Sequence, residues 1–119
     1  MALFGSSAYV AMGSVGLAVF DFSQPDQIVL TGFYDTPGWA ADVAVMNDRA
    51  YVADGDGGLI ILDVADPATP VRLSHLALPG WAEGVELAGT LAYVAIGVHG
   101  VAVIDISNPA QPFLAGHYQ

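Results

Sequence analysis

The sequence predicts an all-β chain built of repeated four-stranded antiparallel units, and three observations predict it. First, a tract recurs in fixed register: Ala8-Tyr9-Val10-Ala11, Ala50-Tyr51-Val52-Ala53 and Ala92-Tyr93-Val94-Ala95 stand 42 residues apart. Second, the echo extends without slipping, since Gly16-Leu17-Ala18-Val19-Phe20-Asp21 matches Gly58-Leu59-Ile60-Ile61-Leu62-Asp63 and Gly100-Val101-Ala102-Val103-Ile104-Asp105. Third, apolar residues nowhere recur at helical spacing, and 14 glycines and 7 prolines interrupt the chain too often for useful helices. A period of this length marks an array in which no unit buries its apolar face alone.

In the middle copy the strands read as residues 42–46, 50–54, 59–64 and 71–78, each β-branched or aromatic in flavour and bounded by turn residues. Asn47-Asp48 supplies a tight turn between the first two. Gly55-Asp56-Gly57-Gly58 makes a glycine hairpin, and Asp66-Pro67-Ala68-Thr69-Pro70 a proline-set loop. The continuous apolar run Leu59-Ile60-Ile61-Leu62 implies burial on both faces, whereas Arg72, Ser74 and His75 mark the fourth strand as a half-solvated edge. The turns Ser23-Gln24-Pro25, Ala65-Asp66-Pro67 and Ser107-Asn108-Pro109 follow in phase, as do the linkers Pro37-Gly38-Trp39-Ala40 and Pro79-Gly80-Trp81-Ala82. Four antiparallel strands per period make a β-propeller blade, and the chain divides into blade 1 (1–38, without a Pro-Gly-Trp-Ala linker of its own), blade 2 (39–80) and blade 3 (81–119).

Composition narrows the partners. The net charge is -10, the only cations besides the amino terminus are Arg49 and Arg72, and there is no lysine. Nothing is available to neutralise phosphates, which argues against nucleic acid and against an anionic membrane surface. With no cysteine, neither disulfides nor thiolate metal sites arise, and the redox compartment stays open. Met1-Ala-Leu-Phe-Gly lacks the basic start and apolar length of a signal peptide, and no apolar run approaches a spanning helix, so membrane insertion is not expected.

Several polar groups recur at positions that invite a functional reading. Asp54-Gly55-Asp56-Gly57 carries two carboxylates one residue apart around a glycine, the way oxygen-rich calcium loops begin. The sibling copies read Met12-Gly13-Ser14-Val15 and Ile96-Gly97-Val98-His99, so an Asp-Gly hairpin is the stronger reading, with Asp54 and Asp56 a weak calcium candidate and no other cofactor implied. Trp39 and Trp81 occupy equivalent linker positions; they suit a wedge between blades better than a stacking platform. Asp42 and Glu83 lie near the same end as the Asp54 hairpin, and with Trp39, Trp81 and His99 they define where a ligand would sit. Asp21, Asp63 and Asp105 close the third strands and are expected to accept hydrogen bonds from the turn that follows. The histidines His75, His99 and His117 have no metal-ligand spacing, and no serine stands in a Gly-x-Ser-x-Gly elbow, so no catalytic residue is assigned and the chain is not expected to be an enzyme.

The tract, turn and period together resemble the LVIVD-repeat family of β-propeller proteins, whose name spells the third-strand run seen here as Leu59-Ile60-Ile61-Leu62-Asp63 and Val101-Ala102-Val103-Ile104-Asp105. The resemblance covers essentially the whole chain. It implies one blade per repeat, in proteins often exported or surface-attached in bacteria, and it carries no catalytic motif.

Closed propellers take about four to eight blades, and three are present. Met1 stands in phase with Val43 and Gln119 in phase with Ala77, one inter-blade linker short of a full circuit. Apolar faces left open at both ends require cover, for which the simplest partner is a second copy in a six-bladed two-chain ring acting as a structural or protein-interaction scaffold. A piece of a longer propeller, an extracellular fibre grown by head-to-tail stacking, and a lectin-like or hydrolase propeller with its site on the Asp54 and Trp81 face are the alternatives.

Overall fold

The computed structural model describes residues 1–24 and 26–119. Among these residues twelve strands form three four-stranded antiparallel sheets, each in simple sequence order. Blade 1 holds β1 (Ala2–Phe4), β2 (Ser7–Ala11), β3 (Leu17–Asp21) and β4 (Val29–Tyr34). Blade 2 holds β5 (Asp42–Met46), β6 (Arg49–Ala53), β7 (Leu59–Asp63) and β8 (Val71–Leu76). Blade 3 holds β9 (Gly84–Ala88), β10 (Leu91–Ala95), β11 (Val101–Asp105) and β12 (Phe113–Tyr118), with one 3-10 turn at Gly97–His99. The blades form an open arc of 44 × 26 × 19 Å, with β1, β5 and β9 adjacent along its inner side.

Turn chemistry sets the register. Asn47 and Asp48 both adopt positive φ (53° and 60°), the pattern of a type I′ hairpin whose twist matches its strands. Blades 1 and 3 place a glycine at the first of these positions instead, Gly5 and Gly89. In every blade the pairing of the third and fourth strands slips by one residue, skipping Thr31, Leu73 and Ala115, so the outer strand carries a β-bulge that the sequence reading did not foresee. The fourth strand of blade 2 stops at Leu76, short of the predicted residue 78, just ahead of Pro79, which lacks the N–H a ladder needs.

Two cores lie between blades, one on each side of blade 2. Tyr9, Leu17 and Val19 of blade 1 meet Val43, Ala50, Val52, Ile60 and Leu62. On the other side, Tyr51, Leu59 and Ile61 meet Val85, Ala92, Val94, Ala102 and Ile104. The alternation of a strand therefore assigns each residue to a neighbour: in β7, Ile60 and Leu62 point to blade 1, while Leu59 and Ile61 point to blade 3. All four are wholly buried, as their continuous apolar run requires.

Candidate functional site

Where the second strand turns into the third, all three blades build the same five-residue hairpin. Its first residue donates to the carbonyl of its last in each copy: Met12 to Gly16, Asp54 to Gly58 and Ile96 to Gly100, all at 2.8 Å. The second residue is Gly13, Gly55 or Gly97, with φ of 59°, 60° and 63°, a left-handed conformation that favours glycine. In the first two blades this glycine forms a β-bridge to the linker of the next blade. Gly13 exchanges hydrogen bonds with Ala40 (2.8 and 3.0 Å), and Gly55 with Ala82 (2.9 Å each way). The tryptophan before each alanine lays its ring on the same glycine, where a Cβ would come within 2.8 Å of the indole of Trp39 or of Trp81. Each linker thus clips its own blade to the hairpin of the preceding one.

Trp39 and Trp81 come together around Gly55, which meets the ring of one and the Cβ of the other; each remains about half exposed. Asp54 is fully buried. Its Oδ2 accepts from the Gly38 N–H at 2.8 Å, which ties the hairpin of blade 2 to its own linker. Its Oδ1 and the Thr36 hydroxyl are buried with no hydrogen-bond partner among the described residues. Burial pushes the Asp54 carboxyl above the usual range, and the hydrogen bond from the Gly38 N–H offsets part of this. Asp56 is exposed at the loop tip, with Oδ1 directed at Gly38. No group of three or more histidine, cysteine or acidic side chains is arranged to hold a metal among the described residues.

Asp42 pairs with Ala53 at the foot of the Asp54 hairpin and reaches across to blade 3. Its Oδ2 accepts from the Val85 N–H of blade 3 at 3.0 Å, and its Oδ1 lies 3.9 Å from the amino terminus. It lines an open groove of about 550 Å³ along β1, β5 and β9. Glu83 and His99 are exposed beside the blade 3 hairpin, where the Glu83 N–H extends the ladder to Ala95 and the His99 ring covers Gly80. His75 and His117 do more than the edge role their phase indicated. Their Nε2 atoms hydrogen-bond the hairpin carbonyls of Gly57 and His99, bracing the outer strand against the loop.

The third-strand aspartates have the local task their position predicts. Asp21, Asp63 and Asp105 each accept from the backbone N–H two residues on, at 2.7, 2.9 and 2.9 Å. Of the turns that follow, those at Asp66 and Asn108 are fastened by their own side chains; the expected third turn includes Pro25, which lies outside the described residues. A family model described as LVIVD repeat matches residues 1–36, 37–75 and 79–119 in tandem. The chain belongs to the LVIVD-repeat family. A search of curated proteins finds no match to it.

The three LVIVD repeats differ most where they meet no neighbour. The tyrosine of the Ala-Tyr-Val-Ala tract is 2 % exposed in blades 1 and 2, as Tyr9 and Tyr51, and 41 % exposed in blade 3, as Tyr93. Val101, the equivalent of buried Leu17 and Leu59, is exposed with it. At the outer rim, the Pro67 carbonyl of blade 2 presses against Gly32 of blade 1, and Ser74 of blade 2 donates to the Pro109 carbonyl of blade 3 at 2.7 Å. Gly116 is the third member of that series, and open space surrounds it. The outward face of blade 1 carries exposed Met1 and Leu3 and half-buried Val10 and Phe20, in phase with Val43, Val45, Val52 and Leu62 of blade 2.

Proposed function

We propose that this chain is a non-enzymatic LVIVD-repeat module that assembles with copies of itself through its two end faces and serves as a structural or protein-interaction scaffold. The observation that carries this reading is the exposure of Tyr93 on a face whose counterparts in blades 1 and 2 are buried by the next blade. Repeat symmetry supports the choice of partner. The open face of blade 3 is of the kind blade 2 turns toward blade 3, and the open face of blade 1 is of the kind blade 2 turns toward blade 1. The two ends are therefore complementary, and two chains joined at both ends give six blades, inside the usual range for a closed propeller. Repetition of a single junction without closure would give a fibre. The strongly acidic balance directs the exposed surface away from nucleic acid.

Light scattering coupled to size exclusion tests this. A mass of twice the 12.3 kDa chain is expected for the ring. Tyr93→Arg, which places a charge on the open face, should return the protein to single chains with unchanged β-sheet circular dichroism. A single-chain mass at all concentrations would overturn the reading, and filaments under the electron microscope would replace the ring by the fibre.

A further inference from the structure

We propose that the Gly97 hairpin of blade 3 is a docking socket for an extended Pro-Gly-Trp-Ala segment, supplied by the linker of a further LVIVD repeat. Among the described residues this hairpin occurs three times, bridged to a linker at Gly13 and at Gly55 and unbridged at Gly97. Gly97 shares its φ with Gly13 and Gly55 and closes the same loop, with Ile96 donating to Gly100 and Gly100 donating back to Gly97. In the bridged copies the glycine N–H donates to an alanine carbonyl and its carbonyl accepts from the same alanine. The Gly97 N–H has no such partner among the described residues. A Cβ built at Gly97 would meet nothing closer than the Trp81 carbonyl at 3.9 Å, whereas at Gly13 and Gly55 it strikes an indole ring at 2.8 Å.

These contacts define what the socket accepts. The two backbone hydrogen bonds require an extended segment, as in strand addition to a sheet edge. A flat ring can reach the glycine only because no side chain stands there, which selects tryptophan at the first position. Ala40 and Ala82 are buried once bridged, which selects a small residue at the second. The socket is separate from the apolar end face that the assembly reading uses. The docking of such a segment is therefore read separately from how the end faces are covered.

Titration of the isotopically labelled chain with the synthetic peptide Thr-Pro-Gly-Trp-Ala-Ala-Asp-Val, the sequence of residues 36–43, tests the proposal by amide chemical shifts. The Gly97 amide is expected to shift saturably, while those of Gly13 and Gly55, already bridged, stay in place. Replacing the peptide tryptophan by alanine should weaken binding at least about tenfold, and Gly97→Ala should do the same with the spectrum of the rest of the fold retained. Absence of a saturable Gly97 shift up to about 5 mM peptide, a range that reaches weak affinities, would overturn it. So would binding that survives loss of the indole. Neither result bears on the chain's mass in solution, so the failure of this proposal and the failure of the assembly reading are separable.

Discussion

Blades 2 and 3 have the same strands, the same hairpin, the same bulge and the same capped turn, yet one is buried on both faces and the other on one. In blade 2 the tract Leu59-Ile60-Ile61-Leu62 is wholly buried; in blade 3, Ala102 and Ile104 are buried while Val101 is exposed and Val103 half-buried. Because the local geometry is unchanged, the difference comes from neighbours alone. Blade shape is thus set by ladders and turns within a repeat, and burial is set between repeats, which is how a stacked array divides its stability.

That division can be tested by making one change at equivalent positions. Ile61→Ala removes buried methyl groups between blades 2 and 3 and should cost about 2–5 kcal/mol in urea unfolding. Val103→Ala, at the matching place in blade 3, should cost under about 1 kcal/mol at concentrations where the chain is single. Equal costs would mean that the open face of blade 3 is covered. Next in size is the hairpin glycine. Gly55→Ala adds a methyl group where the Trp81 ring lies and also forces an L-residue into left-handed φ, a strain of about 1–2 kcal/mol before the clash. Gly97→Ala meets only the strain, so the gap between the two variants in thermal unfolding measures the clip itself.

The smallest effect concerns Asp54, which only blade 2 possesses; the matching residues are Met12 and Ile96. The folded chain holds the Asp54 proton more tightly than the unfolded chain does. Its contribution to stability is therefore complete below the ordinary aspartate range and is lost as pH rises through the elevated folded value. Asp54→Asn keeps an acceptor for the Gly38 N–H and removes the charge. It should flatten this part of the pH profile and raise stability near neutrality by about 1 kcal/mol, the scale of one relieved buried polar group. Asp21 and Asp105 lean the other way. Hydrogen bonds from Ser23, chiefly its backbone N–H, and from Ser107, chiefly its hydroxyl, hold their carboxyls below the usual range. Their contributions are present above the ordinary aspartate range and lost as pH falls through the lowered folded values, so they persist in the Asp54→Asn variant.

The blades, their order and the double burial of β7 were legible because they rest on period and alternation, which a sequence displays directly. The capped turns were legible for the same reason, since Asp21, Asp63 and Asp105 recur in phase beside their donors. The bulge was not. Thr31, Leu73 and Ala115 share no side-chain chemistry, and a bulge is a departure from backbone pairing that no particular side chain announces. The inter-blade clip was legible in part. Trp39 and Trp81 read as wedges between blades and do lie between them, but the glycine of the preceding repeat that each ring meets was not legible, because a residue without a side chain leaves no mark of what it receives. Asp42 does lie beside the Asp54 hairpin, paired with Ala53; what the sequence did not display is that its carboxylate also accepts a hydrogen bond across the blades from the Val85 N–H.

The bridges from Gly13 to Ala40 and from Gly55 to Ala82 also govern how the molecule comes apart. Each one fastens a hairpin to a linker belonging to the following blade, so the cooperative unit overlaps the boundary at which the sequence repeats. Blade 2 cannot open without breaking a bridge on each side, while blades 1 and 3 each release only one. Unravelling must then start at an end and run inward, and the amides of β6 and β7 will be the last to exchange with solvent.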